Sequence, residues 1–146
     1  MKRPIGIHSR HDLSVTEVEA LEDKLYAFNA CRSGHLDAAP LAFVSEAEGV
    51  LIGAAAGFTW GGVCELRQVW VHEDCRGQGL GARLIGEAVR EARARGCADI
   101  FLTTYDFQAP GFYAGLGFRV VAEVRDKPVG HTEFVMRLSL ADTPAG

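Results

Sequence analysis

The sequence predicts an α/β fold, with a mixed, mostly antiparallel central sheet and helices on both faces. The first observation is that β-rich runs follow one another at residues 41–47, 50–60 and 63–72. The second is a strongly amphipathic stretch at residues 81–95, after which short strand-like and helix-like runs alternate up to residue 140. This order of elements is typical of a sheet covered by helices. The length of 146 residues suits one domain, predicted to span residues 1–146.

The N-terminal segment predicts a short strand followed by a helix. Residues 4–7 predict the strand. Ser14 and Glu17 then form a capping-box pattern, in which each side chain caps the backbone N–H of the other residue. Apolar residues recur after it at helical spacing: Val18, Leu21, Leu25 and Phe28. We therefore expect a helix over residues 15–31, ended by the Ser33-Gly34 pair.

Two turn signals separate the three β-rich runs, Glu48-Gly49 and Gly61-Gly62. Such pairs favour tight hairpins, so the runs predict an antiparallel meander. The second run contains consecutive small residues at positions 53–57. Small residues in a strand allow another element to approach closely, and we expect them to serve packing rather than ligand binding.

The second half of the chain begins with the clearest helix, over residues 81–95. One face is apolar, and Gly96 follows the last turn as a stop signal. Glu91 and Arg95 are spaced to form an ion pair, and the arginines of this helix are expected on a solvated face. The remaining chain predicts a buried strand at 100–104, a short helix at 109–116 and strands at 118–124 and 133–140.

Composition and charge exclude several classes of protein. Fifteen basic residues stand against nineteen acidic ones, which gives a net charge of −4 and no basic footprint for nucleic acid. A cationic or neutral small substrate is therefore the simpler expectation. Neither a signal peptide nor a run of about 20 apolar residues is present, so we expect no membrane partner and a cytoplasmic location. The four cysteines are irregularly spaced, which favours reduced thiols and no metal.

A glycine-rich loop lies between the third β-rich run and the long helix. It reads Arg76, Gly77, Gln78, Gly79, Leu80, Gly81. Glycines permit a tight turn with exposed N–H groups, and the helix that follows adds unpaired donors and a partial positive charge, so the loop predicts an anion site. Neither the Gly-x-Gly-x-x-Gly spacing of dinucleotide folds nor a Walker lysine is present.

The pattern Arg76-x-x-Gly79-x-Gly81 resembles the pyrophosphate signature of the GCN5-related N-acetyltransferases. A second match lies downstream, where residues 109–118 resemble the "A-x-x-F-Y-x-x-x-G-F" segment of that family. The resemblance is strongest from residue 50 to residue 124. It implies that acetyl-CoA is the cosubstrate, with its diphosphate at the glycine loop, and that an acetyl group passes to a primary amine of a small molecule or peptide.

The resemblance also implies roles for individual residues. The strand of Val69, Trp70 and Val71 would splay from its neighbour and offer backbone groups to the pantetheine arm, with the Val69 N–H as oxyanion donor. Tyr113 occupies the position of a tyrosine that protonates the departing thiolate.

Two carboxylates are candidates for the base that deprotonates the amine, Glu65 and Asp106, and the pattern does not decide between them. Asp106 also stands where the family commonly has an asparagine that contacts the cofactor arm. An ionised carboxylate accepts but does not donate hydrogen bonds, so Gln108 or water would have to replace that contact.

No cysteine carries a cue for a His-assisted nucleophile, so we expect direct transfer in a ternary complex rather than an acyl-enzyme. The alternative function is a noncatalytic acyl-CoA-binding sensor, for which Arg67 and Asp106 leave room. The C-terminal strands offer a sheet edge, which makes a homodimer an open expectation.

Overall fold

The computed structural model describes residues 2–141. The chain divides into two compact units, which meet in sequence between Leu36 and Asp37. The first unit contains helix α1, Val15–Ser33, which ends at Gly34 with a φ of 79°. The predicted capping box is confirmed, because Ser14 Oγ accepts from the Glu17 N–H and the Glu17 carboxylate accepts from the Ser14 N–H.

The predicted first strand at residues 4–7 is wrong. These residues form neither helix nor strand, and the side chains of Ile5 and Ile7 are more than nine-tenths exposed. A strand needs a neighbouring strand for its backbone hydrogen bonds, and no described strand pairs with this segment. Apolar residues alone therefore do not order it.

The second unit contains a six-stranded sheet, which confirms the predicted mixed, mostly antiparallel fold class. The elements in chain order are β1 Ala39–Ala47, β2 Val50–Trp60, β3 Val63–Val71, α2 Leu80–Ala94, β4 Asp99–Tyr105, α3 Pro110–Gly115, β5 Arg119–Arg125 and β6 Thr132–Ser139. The strand order is β1-β2-β3-β4-β6-β5, and every neighbouring pair is antiparallel except β3 with β4. Strand β5 forms one edge, and every one of its residues is exposed.

Both predicted hairpin turns are present, with their central residues in the left-handed region. The φ values are 52° at Glu48 and 77° at Gly49, and 58° at Gly61 and 80° at Gly62. Two successive positive φ angles are the signature of the type I′ turn, whose twist matches that of the strands it joins. The turns fix the register of β1, β2 and β3.

A β-bulge interrupts the pairing of β2 with β3. Ala56 pairs with Gln68 and Gly57 pairs with Leu66, so Arg67 has no residue opposite it. A Cβ at position 57 would collide with the backbone carbonyl of Glu65. Glycine is therefore required there, which confirms that a small residue in this strand serves close packing.

Helix α2 packs against β1, β2 and β3 through its apolar face. Its buried residues are Leu84, Ile85, Ala88 and Ala92, and the last three join a core that includes Leu66, Ile100 and Met136. The predicted pair of Glu91 with Arg95 is present at 2.9 Å. The expectation that Arg95 is simply solvated is wrong, because its guanidinium also donates to the Pro40 carbonyl and to Thr59 Oγ1, both at 3.0 Å.

Candidate active site

A cleft opens in the second unit because β3 and β4 are paired over only part of their length. Their registered pairs begin at Val63 with Asp99 and end at Glu65 with Phe101. Both strands continue beyond these pairs, β3 to Val71 and β4 to Tyr105. The cleft between them has a volume of about 900 Å³ and is lined by the ends of β3 and β4, the glycine loop, the start of α2 and part of α3.

The backbone of Val69 faces this cleft, and the register shows why. The His72 N–H donates to the Ile52 carbonyl at 2.8 Å, which fixes the phase of the β2–β3 ladder. Hydrogen-bonded and non-hydrogen-bonded pairs alternate along an antiparallel ladder, so Val69 with Ala55 is a non-hydrogen-bonded pair. The N–H and C=O groups of Val69 therefore point away from β2, toward the side from which β4 has diverged.

The same phase applies to Val71 and explains how the glycine loop is anchored. The C=O of Val71 also points away from β2, and it accepts a hydrogen bond from Arg76 Nε at 3.0 Å. Trp70 has the opposite phase, so its backbone groups belong to the ladder with Ala54, and the residue also lines the cleft. The three residues predicted to contact the cofactor arm thus all line the cleft.

The glycine loop leaves backbone N–H groups without acceptors at the start of α2. Gly77 and Gly79 have φ values of 76° and 79°, a region that other residues rarely adopt. Gly79 caps the helix without a side chain, and the first helical bond runs from the Arg83 N–H to the Gly79 carbonyl at 3.1 Å. The N–H groups of residues 80–82 consequently have no acceptor within the helix, at the positive end of its dipole.

Two other residues of the loop differ in their placement. Gly81 lies against the tip of the Phe112 ring, because a Cβ at position 81 would be 3.2 Å from Phe112 Cζ. Helix α2 can therefore approach α3 closely at this point. Gln78 is exposed and does not line the cleft, unlike its neighbours Gly77 and Gly79.

Tyr113 lies on α3, with its side chain buried at the edge of the cleft. It is 8% exposed and packs edge-on against Phe112 and Phe118, with ring centroids 5.1 and 5.8 Å away. Burial raises the pKa of the Tyr113 phenol above its ordinary value, because the charged form is disfavoured away from water. Among the described residues its hydroxyl has no hydrogen-bond partner, so a protonated donor remains available to a ligand in the cleft.

Neither predicted carboxylate is part of the cleft lining. Glu65 precedes the lining residues Leu66 and Arg67, and its Oε1 lies 3.6 Å from Arg67 Nε. Its side chain is about half exposed. The structure therefore places Glu65 beside the closed end of the cleft, in contact with a cation.

The Asp106 carboxylate forms its hydrogen bonds with the start of β6, on the side of β4 away from the cleft. Its Oδ2 accepts from the Thr132 N–H and its Oδ1 lies against His131 Nδ1, both at 2.9 Å. Burial tends to raise the pKa of Asp106, but the hydrogen bonds from Thr132 and His131 outweigh it and hold the pKa below the usual value. These contacts tie the end of β4 to the start of β6.

Several cleft residues were not predicted as site residues. Gln108, considered only as a substitute for the family asparagine, does line the cleft; its Oε1 accepts from the Tyr105 N–H at 2.9 Å, so its amide N–H groups remain for a ligand. Arg67, Cys75, Thr103 and Thr104 are further lining residues with polar or thiol side chains that were not predicted. The bulge that brings Arg67 to the cleft leaves no sequence signal beyond the small residues of the facing strand.

Comparison with known proteins agrees with this geometry. The profile of the Acetyltransferase (GNAT) family matches residues 8–118, and the chain belongs to this family. It is 48% identical over 71 residues to a blasticidin-S acetyltransferase of Streptomyces morookaense, a match covering 47% of this chain and 51% of that protein. The chain thus spans about half the length of that relative. It is 30% identical over 115 residues to an acetyltransferase of Agrobacterium fabrum, covering 77% of this chain and 84% of the other.

Solved structures share the fold. An acetyltransferase from Bacillus cereus superposes with a TM-score of 0.74 at 26% identity, over 90% of this chain and 97% of that one. An aminoglycoside 6′-N-acetyltransferase complexed with coenzyme A superposes with a TM-score of 0.64 at 16% identity, over 97% and 100% of the two chains.

Two further features of residues 2–141 concern membranes and metals. No helix in this range combines the length and apolarity needed to cross a bilayer. Within the same range, no group of three or more His, Cys, Asp or Glu side chains is arranged to hold a metal ion.

Proposed function

We propose that the protein is an acetyl-CoA-dependent N-acetyltransferase that acts on a primary amine of a small molecule by direct transfer. One observation carries the proposal: the unpaired N–H groups of residues 80–82, the outward-facing N–H of Val69 and the unpartnered hydroxyl of Tyr113 border a single cleft. Family membership and the relative that acts on blasticidin S support the same reaction class.

The cleft residues fit coenzyme A as a ligand. The helix N-terminus and the glycine loop would hold the diphosphate with backbone N–H groups, as such termini hold anions in general. The backbone groups of β3 that β4 leaves unpaired would hydrogen-bond the amides of the pantetheine arm. Gln108 would donate from its amide where an asparagine is common in the family. Acetyl-CoA supplies the acetyl group as an activated thioester.

The chain's own groups then have distinct tasks. The Val69 N–H donates to the thioester oxygen as negative charge develops there. Tyr113 delivers its proton to the departing sulfur, for which its raised pKa keeps the phenol protonated. Since no carboxylate of the described residues lines the cleft, the acceptor ammonium loses its proton through water, with Glu65 as the carboxylate we propose for receiving it.

The thiols favour direct transfer over an acyl-enzyme. Burial, followed by the neighbouring Cys97, raises the pKa of the Cys64 thiol to about 11, so it stays protonated and weakly nucleophilic at neutral pH. Cys75 lines the cleft beside the glycine loop, at the end proposed for the diphosphate rather than for the thioester. Intersecting lines in double-reciprocal plots of the initial rate, with no acetyl-cysteine in the intact-protein mass spectrum, are the expected result. Parallel lines together with a kinetically competent acetyl-cysteine would reject direct transfer.

The function itself is tested with a panel of amines and acetyl-CoA. The panel contains blasticidin S, an aminoglycoside, a polyamine, amino acids and a short peptide, and both released thiol and the acetylated product are measured. Transfer to a small-molecule amine is expected. Tight binding of coenzyme A without transfer to any amine would favour the acyl-CoA sensor, which the lack of a lining carboxylate among the described residues leaves as the second candidate. Failure to bind coenzyme A would reject both.

A further inference from the structure

We infer that Arg67 is a specificity-determining residue that binds a carboxylate on the acceptor, so that the preferred amines are those that also carry a carboxylate. This rests on the proposed function and names the substrate class of the same site. The role belongs to the acceptor side of the cleft and not to the cofactor side.

The charges in the cleft are the first support. Arg67 and Arg76 are the charged side chains that line it, and the described lining includes no acidic residue. The chain as a whole carries a net charge of −4, so the local charge is opposite to the global one. The net charge led to the expectation of a cationic or neutral substrate, and the cationic alternative is not supported where the substrate would bind, because like charges in a cleft repel.

Only one of the two arginines is positioned for the diphosphate. Arg76 belongs to the glycine loop and is anchored on the Val71 carbonyl. Arg67 lies four residues before Val71 on β3, which is about 13 Å along an extended strand. Val69, the proposed neighbour of the thioester, is only two residues away, roughly 7 Å. An anionic group near the attacking amine, rather than the diphosphate, is thus within reach of Arg67.

The Arg67 side chain is held so that its terminal nitrogens remain available. Its guanidinium carbon lies 4.7 Å from the centroid of the Phe58 ring, a cation–π contact that helps to hold the guanidinium group in place. Its Nε faces Glu65 Oε1 at 3.6 Å, beyond hydrogen-bond distance. The two terminal nitrogens have no partner among the described residues, and the side chain is 53% exposed. A guanidinium presented in this way matches a carboxylate with two parallel hydrogen bonds.

The test uses pairs of acceptors that share an amine and differ only in charge. β-Alanine with β-alaninamide and 4-aminobutyrate with its amide are such pairs, and the readout is the ratio of kcat/KM for the acid to that for the amide. For the unmodified enzyme we expect the acid to be preferred by roughly 10- to 100-fold, the range for hydrogen bonds to a charged group. Arg67→Met should lower the ratio by at least 10-fold. Arg67→Lys keeps the positive charge but loses the planar guanidinium that donates two parallel hydrogen bonds, so it should give an intermediate ratio.

The matched control is Arg90→Met, which removes an arginine from the exposed face of α2 and should leave the ratio unchanged. Thermal unfolding of each variant shows whether it is folded. If Arg67→Met is not folded, the acid-to-amide ratio of Arg67→Lys provides the test. Equal use of acid and amide by the unmodified enzyme, or an unchanged ratio in Arg67→Met, would overturn the inference. Transfer only to amines that lack a carboxylate would also overturn it while leaving the proposed function intact. Transfer to no amine at all would reject the proposed function together with this inference.

Discussion

Glu65 and Phe101 form the last registered pair between β3 and β4, the one parallel junction in the described sheet. Beyond this pair the strands separate, and the backbone groups that face β4 from Val69 lose their ladder partners. In most sheets such groups would be paired, since unpaired buried backbone groups are costly. Here they border a cleft, where a ligand with its own amide groups would satisfy them.

Gly79→Val should weaken coenzyme A binding by at least 10-fold. A residue with a Cβ at a φ of 79° costs roughly 1–2 kcal/mol, and a β-branched residue is disfavoured further, so the loop would leave the geometry that presents its N–H groups. Calorimetric titration with coenzyme A measures the effect. Gly34→Val is the matched control, because Gly34 has the same φ at the end of α1 and is not part of the cleft. An affinity unchanged in Gly79→Val would reject the loop as the diphosphate site.

Tyr113→Phe should lower kcat by about 10²- to 10⁴-fold, the usual contribution of a general acid. The ring and its contacts with Phe112 and Phe118 are kept, so the dissociation constant for coenzyme A should change little. Steady-state kinetics with an acceptor from the panel, together with calorimetry, separates the two quantities. Tyr105→Phe removes a hydroxyl from a tyrosine that does not line the cleft and should keep normal turnover. If Tyr113→Phe turns over at the unmodified rate, its hydroxyl is not the acid.

Gly57→Ala should destabilise the protein by about 2 kcal/mol or more. The added methyl group would overlap the Glu65 carbonyl, and backbone atoms in a sheet move less readily than side chains. The free energy of unfolding in urea is the measurement. Gly86→Ala provides the contrast: it lies within α2 with open space around it, and alanine should stabilise the helix by about 1 kcal/mol. Equal stability of Gly57→Ala and the unmodified protein would show that the bulge tolerates a side chain.

Asp106→Asn should lower the melting temperature at pH 7. The folded-state pKa of Asp106 lies below its usual value of 3.8, so the ionised carboxylate stabilises the folded protein above that pH. The contribution is lost as the pH falls through the folded-state pKa. The difference in melting temperature between the unmodified protein and the variant should therefore shrink below pH 3.8. Glu123→Gln, on the exposed edge strand, is the control. A difference that is constant from neutral to acidic pH would show that the charge of Asp106 is not what matters.

The fold was predictable wherever local chemistry decides the structure. The Glu48-Gly49 and Gly61-Gly62 pairs dictate type I′ hairpins, and the apolar face of α2 together with Gly96 fixes that helix to within one residue. Residues 4–7 were predicted incorrectly because a strand depends on a partner elsewhere in the chain. The same limit applies to Arg95, whose contacts with β1 and β2 cross from one element to others.

The candidate site was predictable in its backbone parts and less so in its side chains. The residues of the glycine loop and Tyr113 belong to contiguous motifs, and all of them except Gln78 line the cleft. Arg67 reaches the cleft through a bulge, and Asp106 is hydrogen-bonded to His131 and Thr132, which follow it by 25 and 26 residues in the chain. Long-range register determines both placements, and a single sequence does not encode it in any local pattern.

A crystal structure of the protein with coenzyme A is the most direct test of the central claim, that the cleft between β3 and β4 is an acetyl-CoA site. The diphosphate oxygens should lie within hydrogen-bond distance of the N–H groups of residues 80–82. The pantetheine arm should run along Val69–Val71, with its sulfur within reach of the Tyr113 hydroxyl. Coenzyme A bound outside this cleft, or bound in it with the sulfur remote from both Tyr113 and Val69, would contradict the account.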